Sequence, residues 1–164
     1  MQRCSRSSRS RAAAATNTST TRRRGRSGSI ASCTARVHYP TDYGFIPDTL
    51  AEDGDHLDIL VLVQEPTFPG CLIDARPIGG LDMADEKGSD FKVLAVPVGD
   101  PRYAHVSTLE DLGEHWLREI ETFFATYKQL EPKQTEVLGW HDLEETLRTV
   151  ATCRERYRVE RGGQ

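Results

Sequence analysis

The first 36 residues contain no lysine, no acidic residue, no leucine, no valine and no aromatic residue. A segment without those side chains cannot bury enough apolar surface to offset the entropy of ordering it, so it is expected to be disordered. The whole chain also lacks any long hydrophobic run. Its longest wholly aliphatic stretch, Ile59 to Val63, is far too short to cross a bilayer. The four cysteines, Cys4, Cys33, Cys71 and Cys153, include no C-x-x-C pair, and no histidine stands at a zinc-ligand interval from one of them. This argues against a disulfide scaffold and a zinc finger, and points to a reducing compartment, the cytoplasm. Internal repeats are absent.

What is present divides into two unlike pieces. The 164 residues suit one domain. Residues 1–36 carry nine arginines, while residues 37–164 hold 12 Lys+Arg against 25 Asp+Glu, a net charge of −13. So acidic a domain repels nucleic-acid phosphates and suits a protein that collects divalent cations.

Several short strands are expected, followed by helices. Residues 38–47 are aromatic with proline and glycine punctuation and read as short extended pieces and turns. Leu57 to Val63 reads as a buried strand, and Cys71 to Pro77, Ile78 to Met83 with an interruption at Gly79-Gly80, and Lys92 to Val98 as further strands. The period then changes. Leu109, Leu112, Trp116, Ile120, Phe123 and Tyr127 recur at helical steps, with Ser107 and Glu110 as a capping box. A second helix is expected near Asp142, with Leu143, Leu147 and Val150 on one face. Strands first and helices after give an α+β class, and short strands at short intervals favour a barrel or compact sheet.

Two carboxylate clusters carry the chemistry. The first, Asp53-Gly54-Asp55-His56-Leu57-Asp58, is a turn running into a buried strand. Three acids in a loop are often just a solvated turn. Asp58 argues against that, because a charge at the mouth of a buried strand needs a partner or a metal. An EF-hand does not fit, since Leu57 and Gln64 fall where oxygen ligands belong. The second cluster, Asp82, Asp85, Glu86 and Asp90, also precedes an apolar strand, with Lys92 at its start. If the strands are neighbours, the acids converge at one end of the sheet, and a set of carboxylates selects Mg²⁺. Tyr43, Lys92, Tyr127 and Lys128 supply donors, which makes the natural ligand a highly charged anion such as phosphate or pyrophosphate.

From about Val37 to about Tyr157 the sequence resembles the soluble family I inorganic pyrophosphatases. The resemblance rests on Tyr39-Pro40-Thr41-Asp42-Tyr43-Gly44-Phe45-Ile46, the D-G-D-x-x-D element at Asp53 to Asp58, Arg76-Pro77-Ile78-Gly79, Asp85-Glu86-x-x-x-Asp90-x-Lys92, Asp100-Pro101 and Phe123-Phe124-x-x-Tyr127-Lys128. It implies a small OB-like β-barrel with two flanking helices, and Mg²⁺-dependent hydrolysis of pyrophosphate by a homo-oligomer, without nucleic-acid or membrane partners. Asp53, Asp58, Asp85 and Asp90 would be metal ligands. Asp55 would be the general base, taking the proton of a water shared by two ions. Tyr43, Lys92, Tyr127 and Lys128 would hold the phosphates. His56 replaces the proline usual in the family, and Phe91 is bulkier than its usual counterpart.

The family's N-terminal strands, which carry a Glu, a Lys-x-Glu and an Arg, are missing from residues 1–36. A transit peptide fits this Arg- and Ser-rich, acid-free head, a basic nucleic-acid arm would more often mix lysine with arginine, and Ala12 to Ala15 is too short for a secretory signal. A shifted reading frame accounts for more. One nucleotide back, the codons available for residues 16–21 permit Asn-Lys-Tyr-Glu-Tyr-Asp, and those for residues 28–36 permit Arg-Leu-Asp-Arg-Val-Leu-Tyr-Ser-Ser. Both strings resemble the missing strands. An impaired remnant that binds metal and phosphate is the alternative function.

Overall fold

The computed structural model describes residues 12–16, 38–85, 88–127 and 135–162. Seven strands and two helices follow in order: β1 (Ala12–Thr16), β2 (Asp42–Phe45), β3 (Asp58–Val61), β4 (Leu72–Asp85), β5 (Gly88–Ser89), β6 (Lys92–Pro97), α1 (Glu114–Thr126), β7 (Glu136–His141) and α2 (Leu143–Gly162). The pairing path is β1-β2-β3-β6-β4-β5, and β1 also pairs with β4, so five strands close into a barrel. β7 adds to the far half of β4, from Gly80 to Ala84. Closure removes the edges that a sheet of this size would otherwise expose.

The central ladder is parallel, with β3 against β6 and Asp58 opposite Lys92. Both faces of this pair are covered. Ile59 and Val61 of β3 join Val93 and Ala95 of β6 in a core capped by Val150 and Cys153 of α2. The alternate residues Leu60, Leu62, Leu94 and Val96 join a second core under Ile120, Phe123 and Phe124 of α1. Burial on both faces explains the unbroken apolar runs in the sequence. The side-chain period of two also decides where the charges go: Asp58 shares the α1 face with Leu60, and Lys92 shares it with Leu94.

Several elements differ from the sequence reading. Cys71 to Pro77 and Ile78 to Met83 form one strand, not two, with its register shifting between Pro77 and Gly79. The glycines make room instead of ending the strand. A Cβ on Gly79 would lie 2.5 Å from Leu109 Cγ, and one on Gly80 would lie 2.2 Å from the tip of the Phe91 ring. The first helix begins at Glu114, not near Ser107. The Ser107–Glu110 capping box is replaced by Asp111, whose carboxylate accepts from the amides of Ser107 and Thr108 at 2.8 and 3.0 Å. Gly113, at φ 90°, then turns the chain into α1. Leu109 and Leu112 still pack on the core beneath α1, from a turn. β7 was not anticipated. It is held to α1 by Trp140, whose indole N–H donates to Glu121 at 2.5 Å.

Ala12–Thr16 forms a strand where a disordered head was expected. Its ladder to β2 and β4 uses main-chain groups, which need no apolar side chain. The rest of residues 1–36, and the frame reading that falls on them, lie outside the described residues.

Gly80→Ala is expected to destabilise the chain by about 1–3 kcal/mol, because the Phe91 ring must move and Thr146 Oγ1 stands behind at 3.0 Å. Chemical denaturation of both forms measures this, and equal midpoints would show that the ring moves without cost.

Candidate active site

The site draws on β2, the first residue of β3, the residue two before β6 and the first residue of β6, with the turn before β3 leading into it. The turn is tied down by Thr49. Its hydroxyl donates to the Ile46 carbonyl at 2.6 Å and accepts from the Leu57 amide at 2.9 Å. The Nδ1–H of His56 donates to the Thr49 carbonyl at 2.8 Å, and the ring stacks on Phe45 with centroids 5.0 Å apart. Asp53 Oδ1 accepts from the Asp55 amide at 3.0 Å, a side-chain closure of the kind Asp favours in turns. A ring contact and a hydrogen bond thus hold this loop.

Asp58 and Lys92, paired across the parallel ladder, meet directly. Lys92 Nζ donates to Asp58 Oδ2 at 2.9 Å, to Asp90 Oδ1 at 2.8 Å and to the Tyr43 hydroxyl at 3.1 Å. The Tyr43 hydroxyl in turn donates to Asp58 Oδ2. Lys92 is only 2% exposed. The faces of Tyr43 and Phe124 each lie 5.4 Å from its ammonium, close enough for cation–π attraction. Tyr39, Phe123 and Tyr127 continue this aromatic wall, with Tyr39 stacked on Tyr43 at 4.7 Å and Tyr127 on Phe123 at 5.3 Å.

Of the residues singled out from the sequence, Tyr43, Asp58, Asp90 and Lys92 come together. Tyr127 follows the last residue of α1, its amide donating to the Phe123 carbonyl at 2.8 Å, and its ring packs on the core. Asp53 and Asp55 stand exposed on the turn, and Asp55 lines a cleft with His56, Tyr157, Glu160 and Arg161. Asp85 ends β4, paired with Gly88. Asp82 is turned toward His141 and Ser89, and lines a cavity of about 310 Å³ beside α2 with Phe91 and Arg148. Glu86 and Lys128 lie outside the described residues. The sequence reading quotes Phe124 in the family motif but gives it no place on the apolar helix face. Its place four residues after Ile120 in the helical period was the available signal.

Among the described residues no three His, Cys, Asp or Glu side chains gather into a metal cage. Asp58 and Asp90 nonetheless converge on one cation, the ammonium of Lys92. Two carboxylates with all-oxygen chemistry fit Mg²⁺, which keeps several waters and is usually held by one or two carboxylates together with substrate phosphate. The electrostatics agree. Burial alone would lower the pKa of Lys92, but Asp58 and Asp90 outweigh it and raise it above 10.5. Burial, reinforced by Asp58, pushes the Tyr43 phenol far above 10.0.

Both groups therefore hold their protons more tightly when folded. The stability they contribute is full below about pH 10 and is lost as pH rises through their folded values. Tyr43→Phe should flatten the fall in melting temperature between about pH 9 and about pH 11, although it lowers the starting value. A slope as steep as that of the parent chain would remove Tyr43 from the alkaline transition.

Comparison with known proteins places this geometry. The family model for inorganic pyrophosphatase matches residues 9–158. The inorganic pyrophosphatase of Synechocystis sp. is 54% identical over 122 residues, covering 74% of this chain and 72% of that protein. The Methanosarcina mazei enzyme of the same name is 52% identical over 121 residues, with 74% and 72% covered. The crystal structure of inorganic pyrophosphatase from Thermus thermophilus superposes with a TM-score of 0.75 at 46% identity, covering 77% of this chain and 74% of that one. A barrel of this topology, with Tyr43, Asp58, Asp90 and Lys92 joined at one end, is thus that of a chain belonging to the inorganic pyrophosphatase family.

Proposed function

We propose that the chain hydrolyses inorganic pyrophosphate to two phosphates with Mg²⁺ as its cofactor. The observation that carries this reading is the convergence of Asp58, Asp90, Tyr43 and Lys92 in a member of this family. Asp53, Asp58, Asp85 and Asp90 would hold the metal. Bound Mg²⁺ supplies positive charge that acidifies water and neutralises phosphate. Asp55 accepts the proton of the attacking water. The water oxygen bonds to one phosphorus, the bridging P–O bond breaks, and the leaving phosphate keeps the bonding pair. Tyr43, Lys92, Tyr127 and Lys128 donate to phosphate oxygens, where charge builds up in the transition state. No covalent bond to the protein is required.

The chain is read as a cytoplasmic homo-oligomer without nucleic-acid or membrane partners. Its acidic domain argues against a nucleic-acid partner, the lack of C-x-x-C spacing supports a reducing compartment, and the homo-oligomer rests on the family resemblance alone. Among the described residues no helix is long and apolar enough to cross a membrane.

Residues 1–36 are read as a segment translated partly out of frame. The close relatives align over about 120 residues, near the length from Val37 to the end of the resemblance. Sequencing the gene tests this, and an intact reading frame in the transcript would end it. Restoring the shifted segment is expected to raise pyrophosphate turnover, since each charged donor returned to the phosphate site is worth on the order of 10²–10³ in rate. Equal turnover of the two forms would show that the missing residues do not matter.

The functional test is hydrolysis of pyrophosphate with and without Mg²⁺. Asp55→Asn should lower kcat by about 10²–10⁴ while leaving metal affinity nearly unchanged. Turnover equal to the parent's would remove Asp55 from the base role, and a large loss of metal affinity would make it a ligand.

A further inference from the structure

Lys92 has a property that a phosphate donor does not need. All three of its N–H groups are already committed, at 2.8 Å to Asp90, 2.9 Å to Asp58 and 3.1 Å to Tyr43. The ammonium is almost completely shielded from water, with aromatic faces at 5.4 Å on two sides. An ammonium has three donors, so none remains for an incoming anion. The two carboxylates that hold it are also two of the four assigned to Mg²⁺.

We infer that Lys92 is a resident counter-ion which competes with the metal for Asp58 and Asp90, and that phosphate is the acceptor which draws it away. The inference rests on the proposed function and deepens it. Without any cation, Asp58 and Asp90 would face each other in a partly buried pocket, which like charges resist. Lys92 removes that repulsion within the chain. Mg²⁺ added to the same pair meets the repulsion of the ammonium, which already holds one oxygen of each carboxylate. The ammonium must leave these oxygens as the metal arrives, and it then has three free donors. A phosphate beside the site satisfies them. Metal and phosphate therefore help each other to bind through a single side chain, and each changes the other's affinity by the same factor.

The structure accounts for the ease of the exchange. Lys92 begins β6, so its backbone is fixed by the ladder to Asp58 while its ammonium is carried on a four-carbon stem with several rotatable bonds. Asp90 lies two residues earlier, outside the strand. Tyr43 keeps its own hydrogen bond to Asp58 when the lysine leaves.

Two measurements on the full chain test the inference. In the first, Mg²⁺ is titrated calorimetrically into the parent, Lys92→Gln and Lys92→Arg, with and without inorganic phosphate. Lys92→Gln should bind Mg²⁺ alone about tenfold more tightly, within the usual range of coupling between sites. Lys92→Arg should stay near the parent, since it keeps the charge. Added phosphate should tighten Mg²⁺ in the parent by about fivefold or more, and by less in Lys92→Gln. Unchanged or weaker Mg²⁺ binding by Lys92→Gln overturns the inference.

The second measurement needs no variant and stands if Lys92→Gln fails to fold. The parent chain is reductively methylated, and the rate at Lys92 is followed by peptide mass spectrometry. Mg²⁺ alone should speed modification, and inorganic phosphate added with it should slow it again. A rate that Mg²⁺ lowers or leaves unchanged also overturns the inference. Pyrophosphate hydrolysis by the parent is measured alongside. Its absence would count against the proposed function, whereas hydrolysis without the methylation response would count against the counter-ion role alone.

Discussion

The parallel ladder between β3 and β6 is the constraint from which the rest follows. It sets Asp58 opposite Lys92 and continues through Ile59, Leu60 and Val61 against Val93, Leu94 and Ala95. Strand alternation sends one half of these residues to each face. α2 covers one face and α1 the other, so the ladder is buried on both sides. Only its first rung is polar, and there the barrel ends. A charge pair at that rung escapes full burial on one side, as the 31% exposure of the Asp58 side chain against 2% for Lys92 shows.

The site combines a cost with its compensation. Burying an ammonium is unfavourable unless it is paired and hydrogen-bonded. Lys92 meets that condition with two carboxylates, a phenol and two ring faces. The aromatic residues do more than fill space. Phe124 is fully buried, and together with Tyr43 it lowers the polarity around the ammonium, which strengthens every interaction it makes. In the chain as it stands, the ammonium's three donors are all turned inward, to Asp58, Asp90 and Tyr43.

The turn before β3 carries His56 where the sequence resemblance leads one to expect proline. A proline would stiffen the segment by fixing φ. Here His56 gives a ring stacked on Phe45 of β2 and tilted against Tyr157 of α2, and a hydrogen bond to Thr49. Arg156 reinforces the link by pairing with Glu52 at 2.8 Å. Loop geometry is thereby referred to α2, a distant part of the chain, instead of being set locally.

Much of this was legible in the sequence. The apolar run at Leu57 to Val63 announced a buried strand, and Asp58 at its mouth announced a charge in need of a partner, because a charge beside a core strand demands one. Tertiary structure decided what local pattern could not. The helix start moved to Glu114 because Asp111 took amides that the Ser107 box was expected to cap, and both arrangements satisfy the same local rule. Gly79 and Gly80 read as a strand break, yet they admit Leu109 and Phe91 against a continuous β4, contacts invisible without the fold. The alanine run at Ala12–Thr16 offered no apolar anchor, but two partner strands completed its ladder through the main chain. The sequence by itself determined which residues could carry charge, bury or turn, since those are properties of side chains and their spacing. Only the tertiary structure decided that Asp58, Asp90 and Tyr43 share one ammonium, because that meeting joins segments up to 49 residues apart and depends on which strands become neighbours.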